Sequence, residues 1–162
     1  MDKRAQSLQQ IAEQSVSQES FGYALADFEH ELARATSRPQ LLAAIREEPP
    51  LLAGKFEGGA IADSWLAALA ELLAAHCGLK APDWVWEAPR FLAEPVIHDA
   101  HSAKLKAWHV LKSAPAFSRR NYFVDYQLPP IHLQRGRPRK SDAHKRLMNR
   151  KRVARHRAKQ AS

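Results

Sequence analysis

Three histidines in the second half of the chain have the residue type and spacing for metal chemistry. His98 and His101 stand three positions apart, so a helix would place both imidazoles on one face, and His109 follows. A zinc site needs at least three protein ligands, and no third ligand stands at a matching spacing. The pair also follows Pro95, which favours a loop. The residues therefore predict a surface loop and no metal site.

The pair His76–Cys77 has the residue types of an activated thiol. It falls near the end of a predicted helix, however, where the helix dipole disfavours a thiolate. Cys77 is the single cysteine, so no internal disulfide is available, and we predict a small core residue. The chain also lacks a phosphate-binding P-loop, a dinucleotide glycine signature and a nucleophile elbow. We therefore predict no enzyme, no catalytic residue and no cofactor.

Charge divides the chain into two unequal parts. Residues 1–134 carry 13 Lys/Arg against 16 Asp/Glu, whereas residues 135–162 carry 12 Lys/Arg against one acid. The net charges are −3 and +11, so the overall charge of +8 comes from the last 28 residues. This asymmetry is typical of an interaction tail attached to a near-neutral domain. We predict a helical body (residues 1–128), a proline-rich linker (129–134) and a basic tail (135–162).

The start of the basic tail, Arg-Gly-Arg-Pro-Arg-Lys over residues 135–140, resembles an AT-hook. The minor groove of A/T-rich DNA is narrow and strongly negative, so a chain that enters it must be thin and extended. A glycine without a side chain and a proline with a fixed dihedral meet this need, and arginines then contact the groove floor and phosphates. The predicted DNA contacts are Arg135, Gly136, Arg137, Pro138, Arg139, Lys140, Lys145, Arg146, Arg150, Lys151, Arg152, Arg155 and Arg157.

The rest of the tail, residues 141–160, contains no proline or glycine, and Ser141 can cap a helix there. Its apolar face is too thin for a core, so we expect the helix to form on phosphates. Residues 149–157 resemble the basic region of leucine-zipper proteins, but no heptads follow. The alternatives are an RNA- or ribosome-associated protein, an interaction module that binds an acidic partner, and a solvated tail without a specific target. Binding to a membrane surface is disfavoured because the helix has almost no bulky apolar face.

Apolar residues recur with helical periodicity through most of the body and predict an all-α fold. We expect helices over residues 4–17, after a cap at Ser20, after Ser37, over about 60–79 with Gly78 as terminator, and over 103–113. The last of these has Leu105, Trp108 and Leu111 as its apolar face. The segment NYFVDY (121–126) has strand composition but no obvious partner.

An aromatic segment, residues 81–95, breaks the helical pattern with prolines and two tryptophans. Its large side chains fill a small core or, alternatively, remain exposed as anchors for a protein partner. Two adjacent arginines further on are expected to be a solvated pair, or else to bind an acidic partner. The candidates for partner binding are Trp84, Trp86, Phe91, Arg119 and Arg120.

The first 14 residues lack the apolar run of a secretory signal. The most apolar stretch is interrupted by Asp63, Glu71 and His76, which favours a core helix over a membrane span. We therefore expect a cytoplasmic, nucleoid-associated protein with no membrane partner.

The motifs of residues 47–126 resemble those of a bacterial family of small helical proteins. The resemblance rests on Gly-Leu-x-x-Pro-x-Trp from Gly78 to Trp84, on the segment from Ala88 to Pro95, and on SAPAFSRRNYFV. Members of this family are often encoded beside nucleotidyltransferase-like proteins in modules like those of toxins and antitoxins. The resemblance implies an antitoxin-like role in transcription regulation and a nucleotidyltransferase-like protein partner. The basic tail departs from the family, in which a final strand or helix is expected.

Overall fold

The computed structural model describes residues 4–99, residues 101–133 and the isolated position 149. The described helices are α1 (Leu8–Gln14), α2 (Gln18–Arg34), α3 (Arg38–Arg46), α4 (Gly59–Cys77), α5 (Ala103–Lys112) and α6 (Pro115–Ser118). Two 3-10 turns span Asp83–Trp86 and Ala88–Arg90, and two short strands are β1 (Val96–Ile97) and β2 (Tyr122–Phe123). The mostly helical character of the predicted body is confirmed. The predicted AT-hook-like segment, the helix of the tail and all the predicted DNA contacts lie outside the described residues.

Serine side chains begin four of the described helices by accepting a hydrogen bond from a backbone N–H of the first turn. The caps are Ser7, Ser17, Ser37 and Ser102. A serine cap typically stabilises a helix by about 1 kcal/mol. The prediction of Ser20 as the cap of α2 is wrong, because Ser17 holds that position and Ser20 completes its capping box three residues later. Two serines three apart satisfy the same sequence pattern, and only one of them lies before the helix.

Helix α4 is the centre of the described body. It packs against α3, α6 and both 3-10 turns, and it ends at Gly78, which has the left-handed φ of 65° that was expected of a terminator. By length and mean hydropathy (1.3) α4 could span a bilayer, but 67% of its apolar window is buried in the body, as a core helix requires. Gly59 at its start lets the backbone approach closely, since an added Cβ would lie 2.0 Å from the Leu52 carbonyl oxygen.

The segment 121–126 does have a strand partner, which corrects the sequence interpretation. β2 pairs in parallel with β1, with Val96 opposite Tyr122 and Ile97 opposite Phe123. The partner is only two residues long and therefore has no periodicity that a sequence could reveal. α5 and α6 lie between the two strands along the chain.

Helix α5 begins after Ser102 within the predicted range, but its apolar face is not part of the core. It buries no residue, and Leu111 and Trp108 are 80% and 50% exposed. Polar contacts hold it instead. The Trp108 indole N–H donates to Asp125 Oδ2 at 2.8 Å, and the Asp125 backbone N–H donates to His109 Nδ1 at 3.0 Å. The predicted apolar stripe is real in sequence but faces outward.

The chain after β2 continues along the body. Leu128, Ile131 and Leu133 are half-buried against the core, and the Tyr126 hydroxyl donates to Glu29 Oε1 at 2.7 Å. These contacts place residues up to 133 on the body, so most of the segment predicted as a linker packs against the helices.

Candidate partner surface and aromatic cavity

Four of the five predicted partner residues lie side by side, although they come from segments about 30 residues apart. The guanidinium carbons of Arg119 and Arg120 lie 5.7 and 5.5 Å from the centre of the Trp86 ring, and that of Arg120 lies 5.1 Å from Phe91. Such stacking is the geometry of a cation–π contact. The turn at Asp83–Trp86 and the end of α6 bring these residues together. We call this cluster the Trp86 patch.

Arg120 is the buried base of the Trp86 patch. Its Nη1 donates to Glu71 Oε2 at 2.6 Å and to the Ala116 carbonyl at 2.5 Å, and its Nη2 donates to the Val85 carbonyl at 2.9 Å. Burial lowers the pKa of Arg120, and the hydrogen bond and charge of Glu71 oppose that shift. The expectation of a solvated arginine pair is therefore wrong for Arg120, which is 0% exposed and cannot itself contact a partner.

Trp86 and Arg119 form the accessible part of the Trp86 patch. Trp86 is 46% exposed, and Arg119 is exposed while its Nε lies 3.4 Å from Glu71 Oε1. Phe91 is half-buried beneath them. Tryptophan and arginine are the residues most enriched at the energetic centres of protein interfaces. The patch therefore has the composition of a partner surface, held in place by a buried ion pair.

Trp84 belongs to the core and not to this surface. It is 6% exposed, its indole N–H donates to the Ile45 carbonyl at 3.2 Å, and Arg90 stacks on its ring at 5.1 Å. The first interpretation of the aromatic segment, core filling, is thus confirmed for Trp84. The prediction of Trp84 as a partner residue is wrong, because the interior of the body already occupies it.

A second ion pair lies entirely inside the body. Arg90 Nη1 is 3.2 Å from Asp63 Oδ1, both side chains are 0% exposed, and Arg90 also donates to the Pro49 carbonyl. Asp63 accepts from the backbone N–H groups of Leu52 and Ala53 as well. Burial raises the pKa of Asp63, while these two N–H donors and then Arg90 counteract the rise. The pair fixes the loop before α4 and offers nothing to a ligand.

An open cavity of about 550 Å³ lies between α2, the start of α4 and the two strands. Its walls are mostly apolar and aromatic. The described lining residues are Gln18, Phe21, Gly22, Leu25, Phe56, Gly58, Ile61, Ala62, Trp65, Val96, Ile97, His98, Asp99 and Tyr122. We call this space the aromatic cavity.

Trp65 and Tyr122 form the inner wall of the aromatic cavity. Trp65 makes edge-to-face contacts with Phe117 at 5.1 Å, Tyr122 at 5.5 Å and Tyr126 at 5.3 Å. Its indole N–H is buried and has no hydrogen-bond partner among the described residues. Burial also raises the pKa of both Tyr122 and Tyr126, so both phenols are protonated at neutral pH.

The predicted surface loop at HDAH is confirmed, since His98, Asp99 and His101 are all exposed. The His98 ring nevertheless packs one edge on the core, with Nδ1 2.6 Å from the Tyr122 hydroxyl. Partial burial lowers the pKa of His98, with Asp99 opposing the shift. A neutral imidazole therefore faces a protonated phenol, and the phenol is the natural donor to Nδ1. His101 pairs with Asp99 at 2.6 Å.

The described residues bring no three metal-ligating side chains together. The rings of His98 and His109 are in edge contact at 6.2 Å. Cys77 is 2% exposed, as predicted for a core residue, and burial raises the pKa of its thiol.

Sequence reasoning missed the aromatic cavity and both buried arginines. One signal for the Arg90 pair was present, because Asp63 interrupts an otherwise apolar stripe and a charge in that position needs a partner. Nothing local marks Trp65 and Tyr122 as neighbours. No protein-family model, curated protein or solved structure matches the chain.

Proposed function

We propose that this chain is a DNA-binding accessory protein that works as the antitoxin-like half of a two-protein module. In this proposal the basic tail binds A/T-rich DNA, and the body binds a nucleotidyltransferase-like partner. The observation that carries it is the division of charge, with +11 in the tail and −3 in the remainder. A polyanion attracts the tail and not the body, because each neutralised phosphate releases counterions.

The body supports this division of labour through its own ion pairs. Arg34 pairs with Glu31 at 3.3 Å, Lys80 pairs with Asp83 at 2.9 Å, and Arg4 lies near Asp27 and Glu31. Cations that are already paired with carboxylates contribute little to phosphate binding. The described body thus favours a partner other than nucleic acid.

The choice of A/T-rich DNA rests on the Gly136-centred segment of the tail. An Arg-Gly-Arg-Pro-Arg sequence fits a narrow groove better than the wide, shallow minor groove of RNA. Competition between an A/T-rich duplex, a G/C-rich duplex and a structured RNA, followed by fluorescence anisotropy, tests this choice. Preference for the RNA would favour a ribosome- or RNA-associated protein and contradict the proposal.

Two paired substitutions separate groove contacts from general charge. R137A/R139A should reduce the preference for the A/T-rich duplex by about tenfold or more, since each lost base contact costs about 1–3 kcal/mol. R155A/R157A removes the same charge and should weaken binding to both duplexes evenly. If the two double variants behave alike, the minor-groove assignment fails.

The protein partner is tested at the Trp86 patch. Trp86→Ala and Arg119→Glu should weaken binding to a nucleotidyltransferase-like protein encoded by the adjacent gene, measured by calorimetry with the full chain. Trp108→Ala is the matched control, because Trp108 is similarly exposed but lies on α5. Nuclease treatment before the titration removes any bridge through nucleic acid. An equal loss with all three variants would argue against the patch.

A further inference from the structure

We infer that the aromatic cavity binds a small, neutral, planar molecule that carries a hydrogen-bond acceptor. This site is separate from the basic tail and from the Trp86 patch, so it stands or falls independently of the proposed function. The inference rests on the size of the cavity, on its aromatic walls and on unsatisfied donors along them.

The dimensions and walls of the cavity fit a small molecule. A volume of about 550 Å³ lies within the range of about 300–1,000 Å³ typical of ligand sites. Phe21, Phe56 and Ile61 face Trp65 and Tyr122 across it. Aromatic walls of this kind favour a flat ring system, because rings pack on one another face to edge or in offset stacks.

The polar groups of the lining are donors. The buried Trp65 indole N–H has no partner among the described residues, and an unmade bond of this kind costs about 1–3 kcal/mol. Because His98 Nδ1 accepts from Tyr122, a neutral His98 carries its proton on Nε2. A ligand acceptor such as a carbonyl oxygen or a ring nitrogen satisfies such donors.

The charge of the lining argues against an ionic ligand. The described lining residues include no Lys or Arg, so nothing there balances an anion. Asp99 lies at the rim and is already paired with His101, and it is held with a φ of 39°, which is uncommon for a residue other than glycine. The donors require an acceptor, while the apolar walls penalise a charge.

Gly22 offers a direct way to close the cavity. It lies on α2 at the lining, and a Cβ built there meets nothing within 4 Å. Gly22→Phe should therefore fill the opening without disturbing the core, and Gly22→Leu is a smaller variant of the same kind. Ala26→Phe is the matched control, because it adds the same ring at an exposed position of α2 that does not line the cavity.

The probes are coumarin, a neutral planar ring with a carbonyl acceptor, and naphthalene, a planar ring of similar size without one. The full chain should bind coumarin saturably by saturation-transfer NMR and calorimetry, and Gly22→Phe and Gly22→Leu should abolish or weaken that binding while Ala26→Phe leaves it unchanged. Absence of coumarin binding, or equal binding to folded Gly22 variants, overturns the proposal.

Trp65→Phe tests the acceptor. It keeps an aromatic ring and removes the N–H, so it should reduce the affinity for coumarin roughly three- to tenfold, the effect of one hydrogen bond. The affinity for naphthalene should change less. If the native chain binds both probes equally, or if Trp65→Phe weakens both alike, the requirement for an acceptor is wrong.

Discussion

The two buried arginines of the body make the same kind of contact with different consequences. Arg90 and Arg120 are both 0% exposed, both stack on aromatic rings, and each binds a carboxylate of α4, Asp63 or Glu71. The Asp63 side chain is 0% exposed, whereas that of Glu71 is 15% exposed and is shared with the surface residue Arg119. The first pair is closed off from solvent and the second reaches the surface.

This difference separates a purely structural ion pair from one that also shapes a surface. The Arg90 pair joins α4 to the loop before it, because Asp63 binds two backbone N–H groups of that loop. The Arg120 pair joins α4 to the 3-10 turn that carries Trp86, through the Val85 carbonyl. Charge in a core contributes less to net stability than to fixing one arrangement, and here the two arrangements serve different ends.

The largest effect is expected when the closed pair is broken. Asp63→Ala leaves Arg90 without its buried counter-ion and two backbone N–H groups without an acceptor, so the free energy of unfolding should fall by about 3–5 kcal/mol. Urea denaturation measures this change. Glu48→Ala is the control, because Glu48 lies 3.5 Å from the same arginine but is 51% exposed and should matter by less than about 1 kcal/mol. Equal effects would refute the distinction between closed and open partners.

Breaking the open pair should cost less than breaking the closed one. Arg120→Met removes three hydrogen bonds but leaves Glu71 with Arg119 and some solvent, so we expect a loss of about 2–3 kcal/mol, below that of Asp63→Ala. The same variant should also change the near-ultraviolet circular dichroism of Trp86, which loses its stacked cation. A larger loss than that of Asp63→Ala would reverse the comparison.

A smaller effect is expected within the Trp86 patch itself. The double-mutant cycle of Trp86→Ala and Arg119→Ala should give a coupling of about 0.5–1 kcal/mol, the range of an exposed cation–π contact. Thermal denaturation of the two single variants and the double variant supplies the cycle. Additive changes would show that Arg119 does not stack on Trp86 in solution.

The mildest effect concerns His98, which is titratable where the arginines are not. Its pKa is lowered in the folded state, so the unfolded chain binds the proton more readily. The stability that this contributes is fully present above the unfolded pKa of about 6.5 and is lost as the pH falls through the lowered folded value. His98→Asn keeps an acceptor for Tyr122 and should flatten this part of the pH dependence. An unchanged pH profile of the unfolding free energy would contradict the shift.

The parts of the fold that the sequence predicts are those with local signals. Ser37 and Ser102 begin helices, and Gly78 ends one, because caps are encoded within a few residues. The burial of Arg120 was missed because its acceptors lie 35 and 49 residues away in sequence. A charge looks the same in a sequence whether it is solvated or buried, and only the partner decides.

The candidate sites divide along the same line. The grouping of Trp86 with Phe91 was predictable from their proximity in sequence, but the arginines that stack on them come from α6. The aromatic cavity was not predictable, since Trp65 and Tyr122 meet only after β1 pairs with β2. The contacts of the basic tail remain predictions from its composition and its central Gly-Arg-Pro.

The weak attachment of α5 has a consequence for exchange with solvent. A helix that buries no side chain and is held mainly through Trp108, His109 and Asp125 opens with little loss of packed surface. Its amides should therefore take up deuterium through local opening, while those of α4 wait for the whole body to unfold. The covalent path between β1 and β2 thus runs through the least protected helix of the described body, and the strand pair is held by its own contacts.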